Sequence, residues 1–446
     1  MKVKIISFVM LLFALVRAED KTILTIYEQS RAWVQDVRAC DLPDGRGTLV
    51  LGQVPGNLNP ESVLLQSQTA GQKFAVLEQV FLNPAANSDA LYQAYEGQPV
   101  QIVTENGIGV SGTLVQSGSG EKVLEDDQGH LIVVQNNRID HIILPPFSEL
   151  VRKPYLEFQI NNQGPLKQPL VLNYMTEALG WSADYNAELS GDEKTISISG
   201  DVSITNYAGM DYQEATVILM SGDVQFQAKK LRGTGAPMMA KAMVMSESAT
   251  YDAADESVFE YHQYRLPFPV RLHNGETRQF HFVQPHTFHV DKKYLYESNQ
   301  NAEKVSTALI GKNTLGMALP KGVVRIFQTQ KDQPSLFIGE DQIAHVPEKA
   351  EIRFVTGYAF DITAKRIQTE QANIGSRMRQ ESYEITFTSA KESDITLWVR
   401  EKFYGNWAIT RSSIPFKKTD SQTAEFEVKL PKSSQTSLTY TVQTKW

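Results

Sequence analysis

The chain has 446 residues, and its 51 acidic and 43 basic side chains give a formal net charge of −8. An acidic balance of this size disfavours nucleic acid or anionic lipid as a partner. The single cysteine, Cys40, excludes an intramolecular disulfide, so the stability has to come from hydrophobic cores. We expect Cys40 itself to be a small buried core residue.

Residues 1–18 have the pattern of a secretory signal peptide. Lys2 and Lys4 precede an apolar run over residues 5–16, and Val16 and Ala18 are small residues at the positions that a signal peptidase reads. Neither this run nor any later one reaches the ~18 residues of a membrane-spanning helix. We predict export to the periplasm or the extracellular space, with cleavage after Ala18 and no lipid anchor. Cleavage would remove three cations and no acid, so the formal charge would change from −8 to −11.

Apolar and polar residues alternate with period 2 along most of the remaining chain, which predicts an all-β protein with few helices. Over residues 19–98 this pattern gives an N-terminal β region with strands at 22–27, 47–51 and 74–82. One helix is predicted over residues 88–95, with Ser88 as its N-cap and Gly97 as its stop.

Five short strands follow at 100–103, 109–116, 122–125, 132–135 and 139–143. Tight turns such as Asn106-Gly107 separate them, which predicts a small inserted barrel of SH3-like type over residues 99–146. Pro145-Pro146 ends this unit, because two prolines cannot continue a strand ladder.

Longer alternating strands then predict two β-sandwiches, over residues 147–298 and 299–446. Residues 232–256 interrupt the first with glycine, proline and methionine, and we predict a long mobile excursion there. Within the second, residues 302–310 are predicted to form a short helix and residues 391–394 a hairpin turn.

Several segments resemble one bacterial family of unknown function, the exported relatives of mucoidy inhibitor A proteins. The matching segments are residues 172–185, 339–345, 357–362 and 381–403, followed by 438–442. The most specific of them is Trp181-Ser-Ala-Asp-Tyr185. The resemblance implies a β-rich exported protein, and it implies no reaction, cofactor or catalytic residue.

A local concentration of histidine is the first candidate site. Five of the eight histidines lie within 28 residues of one another, at His262, His273, His281, His286 and His289. Imidazole is the commonest metal ligand in proteins, so His281, His286 and His289 are candidate metal ligands. The alternative is a strand rim with solvated histidines, because Pro285 predicts a bulge or an edge between them.

A second candidate site consists of Glu340, Asp341 and His345. Two carboxylates and a base could act in glycoside or metal chemistry if they lie a few ångströms apart. The alternative is a β-turn in which Asp341 accepts backbone hydrogen bonds. Adjacent residues of a strand point to opposite faces, which favours this alternative.

The tryptophans could stack on sugar rings, but Trp181 and Tyr185 are four residues apart on a predicted strand and so share one face. We expect these two rings to pack in a sandwich core. The sequence contains no Walker loop, no Gly-x-Ser-x-Gly, no His-Glu-x-x-His and no Cys-x-x-Cys. We therefore predict neither catalytic residues nor a cofactor.

The sequence favours an exported, non-catalytic binding or scaffold protein of the cell envelope, with a protein or an envelope glycan as its unidentified partner. The alternative is a hydrolase of envelope polymer that uses Glu340, Asp341 and His345, or the histidines as a metal site.

Overall fold

The computed structural model describes residues 21–68, 71, 73–83, 87–146, 153–226, 245–246, 254–258, 261–374 and 377–445. Strands make up 67% of the structure and helix 3%, so the predicted all-β class is confirmed. The predicted signal peptide and its cleavage site lie outside the described residues.

The described elements before residue 150 comprise ten strands, one α-helix and two 3-10 turns. They are β1 (Lys21–Tyr27), β2 (Arg31–Asp41), β3 (Gly45–Leu51), a 3-10 turn (Pro60–Ser62), β4 (Leu64–Ser67), β5 (Phe74–Leu82), α1 (Ser88–Ala94), β6 (Pro99–Thr104), β7 (Gly109–Ser117), β8 (Glu121–Glu125), β9 (Leu131–Gln135), a 3-10 turn (Asn136–Arg138) and β10 (Ile139–Ile143).

The described elements after residue 150 are all strands. They are β11 (Tyr155–Asn162), β12 (Lys167–Glu177), β13 (Leu179–Leu189), β14 (Thr195–Asn206), β15 (Tyr212–Ser221), β16 (Met245–Ser246), β17 (Ala254–Val258), β18 (Tyr261–Arg265), β19 (Val270–Leu272), β20 (Glu276–Glu297), β21 (Lys304–Lys312), β22 (Gly322–Gln330), β23 (Gln333–Ile343), β24 (Glu351–Asn373), β25 (Met378–Ser389), β26 (Ile395–Lys402), β27 (Asn406–Ser412), β28 (Phe416–Lys418), β29 (Thr423–Leu430) and β30 (Gln435–Lys445).

The N-terminal strands lie inside a sheet that is completed by strands from much later in the chain. Its order is β17-β18-β15-β1-β2-β12-β4, with β19 paired to β15. Strand β1 runs parallel to β15 and antiparallel to β2. Its alternation places Leu24 and Ile26 in the core with no exposed surface. Strand β1 is therefore an interior strand of this sheet. The strands from residues 170–265 cannot form the whole sheet without it.

Residues 83–154 are an insertion between two paired strands. Leu82 at the end of β5 lies directly opposite Tyr155 at the start of β11, so the chain leaves and re-enters at one point. Strands β5 and β11 form a three-stranded sheet with β3. The insertion has its own apolar core, which includes Tyr95, Ile102 and Leu124.

The five predicted strands of the insertion are present, and they form a sheet of order β10-β6-β7-β8-β9. The last strand pairs with the first, as in the predicted SH3-like type. However, β9 and β10 are the two ends of the sheet, so the sheet is open and the predicted barrel closure is absent within the described residues. Helix α1 precedes the sheet, and its N-cap is Asn87 rather than Ser88, because the Asn87 side chain accepts a hydrogen bond from the Ala90 amide at 2.8 Å.

Two strands of more than twenty residues connect the two main cores. The first half of β20 pairs with β14 and its second half with β21 and β26. Strand β24 pairs first with β21 and then with β25. One core extends from Leu24 to Phe354 along the chain, and the other from Tyr296 to Val442. These cores overlap in sequence, so the division between them does not fall at the predicted boundary between residues 298 and 299.

Two local predictions in the C-terminal region are wrong. Residues 302–310 are not helical: Lys304–Lys312 is a strand held between β20 and β24, where β-branched Val305 and Ile310 suit a pleated surface. Residues 391–394 do not form a hairpin turn, because β25 pairs with β24 and β30 whereas β26 pairs with β20 and β29.

The predicted excursion over residues 232–256 lies largely outside the described residues. The parts that are described are strands: Met245–Ser246 pairs with β20, and Ala254–Val258 pairs with β18. Strand pairing therefore resumes before residue 256.

Candidate functional site

An open cleft of about 340 Å³ lies on the C-terminal sheet, where β24, β25 and β30 run side by side and the end of β26 reaches them. Its lining consists of Arg366, Arg379, Glu381, Tyr383, Lys402, Phe403, Tyr404 and Thr444. Arg366 comes from β24. Arg379, Glu381 and Tyr383 are every second residue of β25, so their side chains share one face of that strand. The strand pairing therefore brings together side chains that are up to 78 residues apart in the sequence.

The Arg366 guanidinium is held in a fixed position at this cleft. Its Nη2 donates to the Glu401 carboxylate and to the Tyr440 hydroxyl, both at 3.1 Å. The Tyr440 hydroxyl in turn donates to Glu401 Oε2 at 2.7 Å. The guanidinium also lies over the Tyr383 ring, 3.8 Å from its centre. Hydrogen bonds and stacking together orient the cation before any ligand arrives.

Burial and charge both act on the pKa values of this network. Burial by itself would lower the pKa of Arg366, but the attraction of Glu401 and the contacts with Tyr440 and Tyr383 together outweigh it, so the pKa of Arg366 is raised. Burial raises the pKa of the Tyr440 hydroxyl far above its usual value, and the neighbouring Glu401 charge raises it further. Burial likewise raises the pKa of Tyr383. At neutral pH Arg366 is therefore a cation, and Tyr383 and Tyr440 are neutral phenols.

The cleft as a whole has an excess of positive charge. Three of its lining side chains are cations, namely Arg366, Arg379 and Lys402, and one, Glu381, is an acid. The Tyr404 ring is 70% exposed beside them. An arginine can hold a carboxylate through two parallel hydrogen bonds, and an exposed ring can pack on the apolar face of a ligand. The arrangement can therefore hold a negatively charged group attached to a ring that has an apolar face.

The three candidate metal ligands lie along β20, and each has a separate partner. His281 Nδ1 is 3.0 Å from Asp201 Oδ1, His286 Nε2 is 2.9 Å from the Thr314 hydroxyl, and His289 Nε2 is 3.4 Å from Asp291. The predicted bulge is present, since the pairing of β20 with β14 shifts on both sides of Gly200. Across the described part of the chain, no three His, Cys, Asp or Glu side chains are grouped so that they could hold a metal ion.

The residues of the predicted hydrolytic site also take part in separate contacts. Glu340 forms an ion pair with Arg325 at 3.3 Å. Asp341 accepts backbone hydrogen bonds from Gln342 at 2.9 Å and from Val355 at 2.6 Å. Asp341 thus accepts backbone hydrogen bonds, as the alternative expected, but it does so within strand β23 rather than in a β-turn, and it joins β23 to β24.

His345 belongs to a different group of side chains that the sequence did not reveal. The Ser221 hydroxyl lies 3.0 Å from Glu28 Oε1 and 3.1 Å from His345 Nδ1, and the Lys321 amide donates to the same Nδ1 at 3.2 Å. The Lys321 ammonium is 2.9 Å from Glu28, and this contact raises the pKa of Lys321.

This group resembles a catalytic triad in composition but not in geometry. In a triad the imidazole lies between the hydroxyl and the acid. Here the Ser221 hydroxyl lies between Glu28 and His345, and Ser221 is only 3% exposed. The group instead connects the turn after β1 to the end of β15 and to the segments around residues 321 and 345.

Two core predictions are confirmed. Trp181 and Tyr185 are buried, with 4% and 0% of their surface exposed, and Cys40 is buried with 8% of its surface exposed. No motif or spacing in the sequence predicted the cleft, although Arg366 and Arg379 lie within alternating strands, where a half-buried cation is uncommon. That local signal could have identified the two arginines as unusual, but it could not have shown that they meet.

Fold and cleft together define a class: a β-sheet scaffold that presents a positively charged, aromatic cleft. The chain belongs to the family described as "Domain of unknown function (DUF4139)", which matches residues 170–446 and so includes every residue of the cleft. No curated protein matches the chain. Among the residues with described structure, no helix is long and apolar enough to cross a membrane.

Proposed function

We propose that this protein is exported and acts as a non-catalytic binding or scaffold protein of the bacterial cell envelope. The observation that supports the proposal is the cleft beside Arg366, which is open to solvent and built on paired strands. Binding sites are commonly placed in this way, on a rigid framework that fixes a few polar groups. The proposal includes a relationship to the exported relatives of mucoidy inhibitor A proteins, because residues 172–185 resemble a segment of that family.

The ligand that this cleft fits best is an acidic glycan of the envelope. A uronic acid carries one carboxylate for the arginines and a pyranose ring whose apolar face can pack on Tyr404. The volume of about 340 Å³ lies within the ~300–1,000 Å³ range of small-molecule sites. The cleft offers Glu381 as its one acid, so a cationic ligand would be disfavoured.

A non-catalytic role is supported by the contacts of Glu340, Asp341 and His345. Each of these side chains is engaged with a different partner, so within the described residues their contacts do not bring the three groups together as the hydrolase alternative requires. A hydrolase would need an acid and a base that converge on one reacting atom.

Binding of trigalacturonate tests the proposed function. We expect saturable binding by calorimetry, weakened about three- to tenfold by Arg379→Ala or Lys402→Ala, because each change removes one exposed or half-exposed cation. Binding should also weaken as salt is raised, since exposed charges are screened. Lys417→Ala is the matched control, because Lys417 is an exposed lysine outside the cleft.

The neutral trigalactoside provides the second control for this experiment. It has the same ring size without the carboxylates, so it should bind much more weakly. Equal binding of both trisaccharides, or no saturable binding of trigalacturonate, would count against the cleft as a site for acidic glycans.

Export is tested by cell fractionation and N-terminal sequencing. We expect the protein outside the cytoplasm with Glu19 as its first residue, because the leader pattern predicts cleavage after Ala18. A variant lacking residues 2–18 should stay in the cytoplasm. An envelope-located protein that still begins with Met1 would show that residues 1–18 are not a cleaved signal.

A further inference from the structure

A second groove, separate from the cationic cleft, lies on the face formed by β13, β14, β22 and β23. Its volume is about 440 Å³, and its lining includes Asn186, Glu188, Ser197, Ser199, Phe327 and Ser335. Asn186 lies directly opposite Ser199, and Glu188 directly opposite Ser197, in the pairing of β13 with β14. Directly paired residues of an antiparallel ladder point to the same face, so these four polar side chains form one continuous patch.

Most of these polar side chains have unused hydrogen-bonding capacity. Within the described residues, the side chains of Asn186, Ser197 and Ser199 have no hydrogen-bond partner. Glu188 accepts one hydrogen bond, from the Ser335 hydroxyl at 2.6 Å, through its Oε1 alone. An amide and hydroxyls can each donate and accept, whereas a carboxylate only accepts. The patch therefore suits a ligand with many hydroxyl groups, each of which can also donate and accept.

Apolar surface lies directly beside this polar patch. Phe327 lines the groove from β22, and its ring meets that of Phe337 on β23 edge to face, with the centres 5.7 Å apart. Phe337 is 53% exposed. Pro285 completes the lining from β20. Rings of this kind pack against C–H faces, and their combination with convergent polar groups is the usual composition of a small-molecule site.

We propose that this groove is a binding site for a neutral oligosaccharide. A pyranose ring combines an apolar C–H face, which would lie on Phe327, with peripheral hydroxyls, which would bond to Asn186, Ser199 and Glu188. Glu188 is the one charged residue of the lining, so the groove disfavours an anionic sugar. It differs in this respect from the cationic cleft, and it shares no lining residue with it.

The test is a titration of the full mature chain with maltotetraose and with cellotetraose. Binding is measured by calorimetry and by saturation-transfer NMR. We expect at least one of the two neutral tetrasaccharides to bind saturably at concentrations up to about 10 mM, which would saturate a site of millimolar affinity. Asn186→Ala and Phe337→Ala should each weaken that binding about fivefold, because they remove a hydrogen-bonding group or part of the aromatic surface.

Two control variants separate this groove from the rest of the molecule. Arg379→Ala alters the cationic cleft, and Phe360→Ala removes an aromatic ring that is 96% exposed elsewhere. Both should leave tetrasaccharide binding unchanged, and all four variants should keep the melting temperature of the parent chain. The proposal is overturned if neither tetrasaccharide binds saturably, or if binding survives both groove substitutions unchanged. Neither result would contradict the proposed binding of trigalacturonate, because the groove and the cationic cleft share no lining residue.

Discussion

Residues 170–446, produced without the rest of the chain, are expected not to fold into a cooperative unit, although they are the whole of the family match. The reason is that β1 and β2 lie between β15 and β12 in the first sheet. Their removal leaves β15 and β12 with unpaired edges and removes Leu24, Ile26 and Val34, all fully buried. Each such side chain contributes ~1.5–3 kcal/mol, so three of them approach the ~5–15 kcal/mol stability of a whole domain.

The measurement is thermal unfolding followed by circular dichroism, with residues 21–446 as the reference. Co-expression with residues 21–169 should restore a soluble, cooperatively melting complex, because it resupplies the missing strands. A cooperative transition of the 170–446 fragment alone, near the melting temperature of the reference, would refute this account of the first sheet.

Removal of the insertion is the control, because it deletes residues 83–154 without disturbing that sheet. Leu82 and Tyr155 are paired across β5 and β11, so a short glycine-containing turn can join them. The shortened chain is expected to keep its cooperative transition, since the sheet of β6 to β10 pairs only within itself.

Glu401→Ala is expected to destabilise the protein by about 3 kcal/mol. Glu401 is 1% exposed and accepts hydrogen bonds from both Arg366 and Tyr440. Loss of one partner from a buried pair leaves the other charge uncompensated, at a cost of ~3–5 kcal/mol. We expect the lower end of this range of destabilisation, because the Arg366 side chain is 23% exposed and water can reach part of it. Urea unfolding at pH 7 measures the effect.

The control for this substitution is Glu427→Ala, which removes an exposed acid from the neighbouring strand β29 and should change the stability by no more than ~0.5 kcal/mol. A triple variant, Arg366→Met with Glu401→Leu and Tyr440→Phe, replaces the network by apolar groups and should recover most of the lost stability. It should still bind trigalacturonate more weakly, because the cleft then lacks Arg366. If Glu401→Ala and Glu427→Ala prove equally mild, the network does not stabilise the fold.

Much of the local structure could be predicted because alternation is a local property. The run from Lys21 to Tyr27 places every second side chain inward, and its strand is recognisable without any knowledge of its neighbours. The same reasoning gave the burial of Trp181 and Tyr185. It failed for residues 302–310, where a short apolar run fits a helix or a strand equally well and only the neighbours β20 and β24 decide.

The candidate sites were less predictable, because residues that are close in the sequence need not meet. Asp341 and His345 are four positions apart, yet Asp341 accepts the Val355 amide and His345 meets Ser221. Conversely, Glu28 and Ser221 are in contact across 193 positions. No composition or spacing signal links such a pair, because their approach depends on the parallel pairing of β1 with β15.

The sequence by itself determined the all-β class, the five strands of the insertion and the burial of Cys40, because these depend on side-chain alternation, turn residues and polarity within short stretches. Tertiary structure alone decided that β1 lies inside a sheet, that the SH3-like sheet is open, and that Arg366, Arg379 and Lys402 share one cleft. Strand order results from competition among many possible pairings of similar local energy. That competition is settled by the burial of whole faces, which only the complete fold provides.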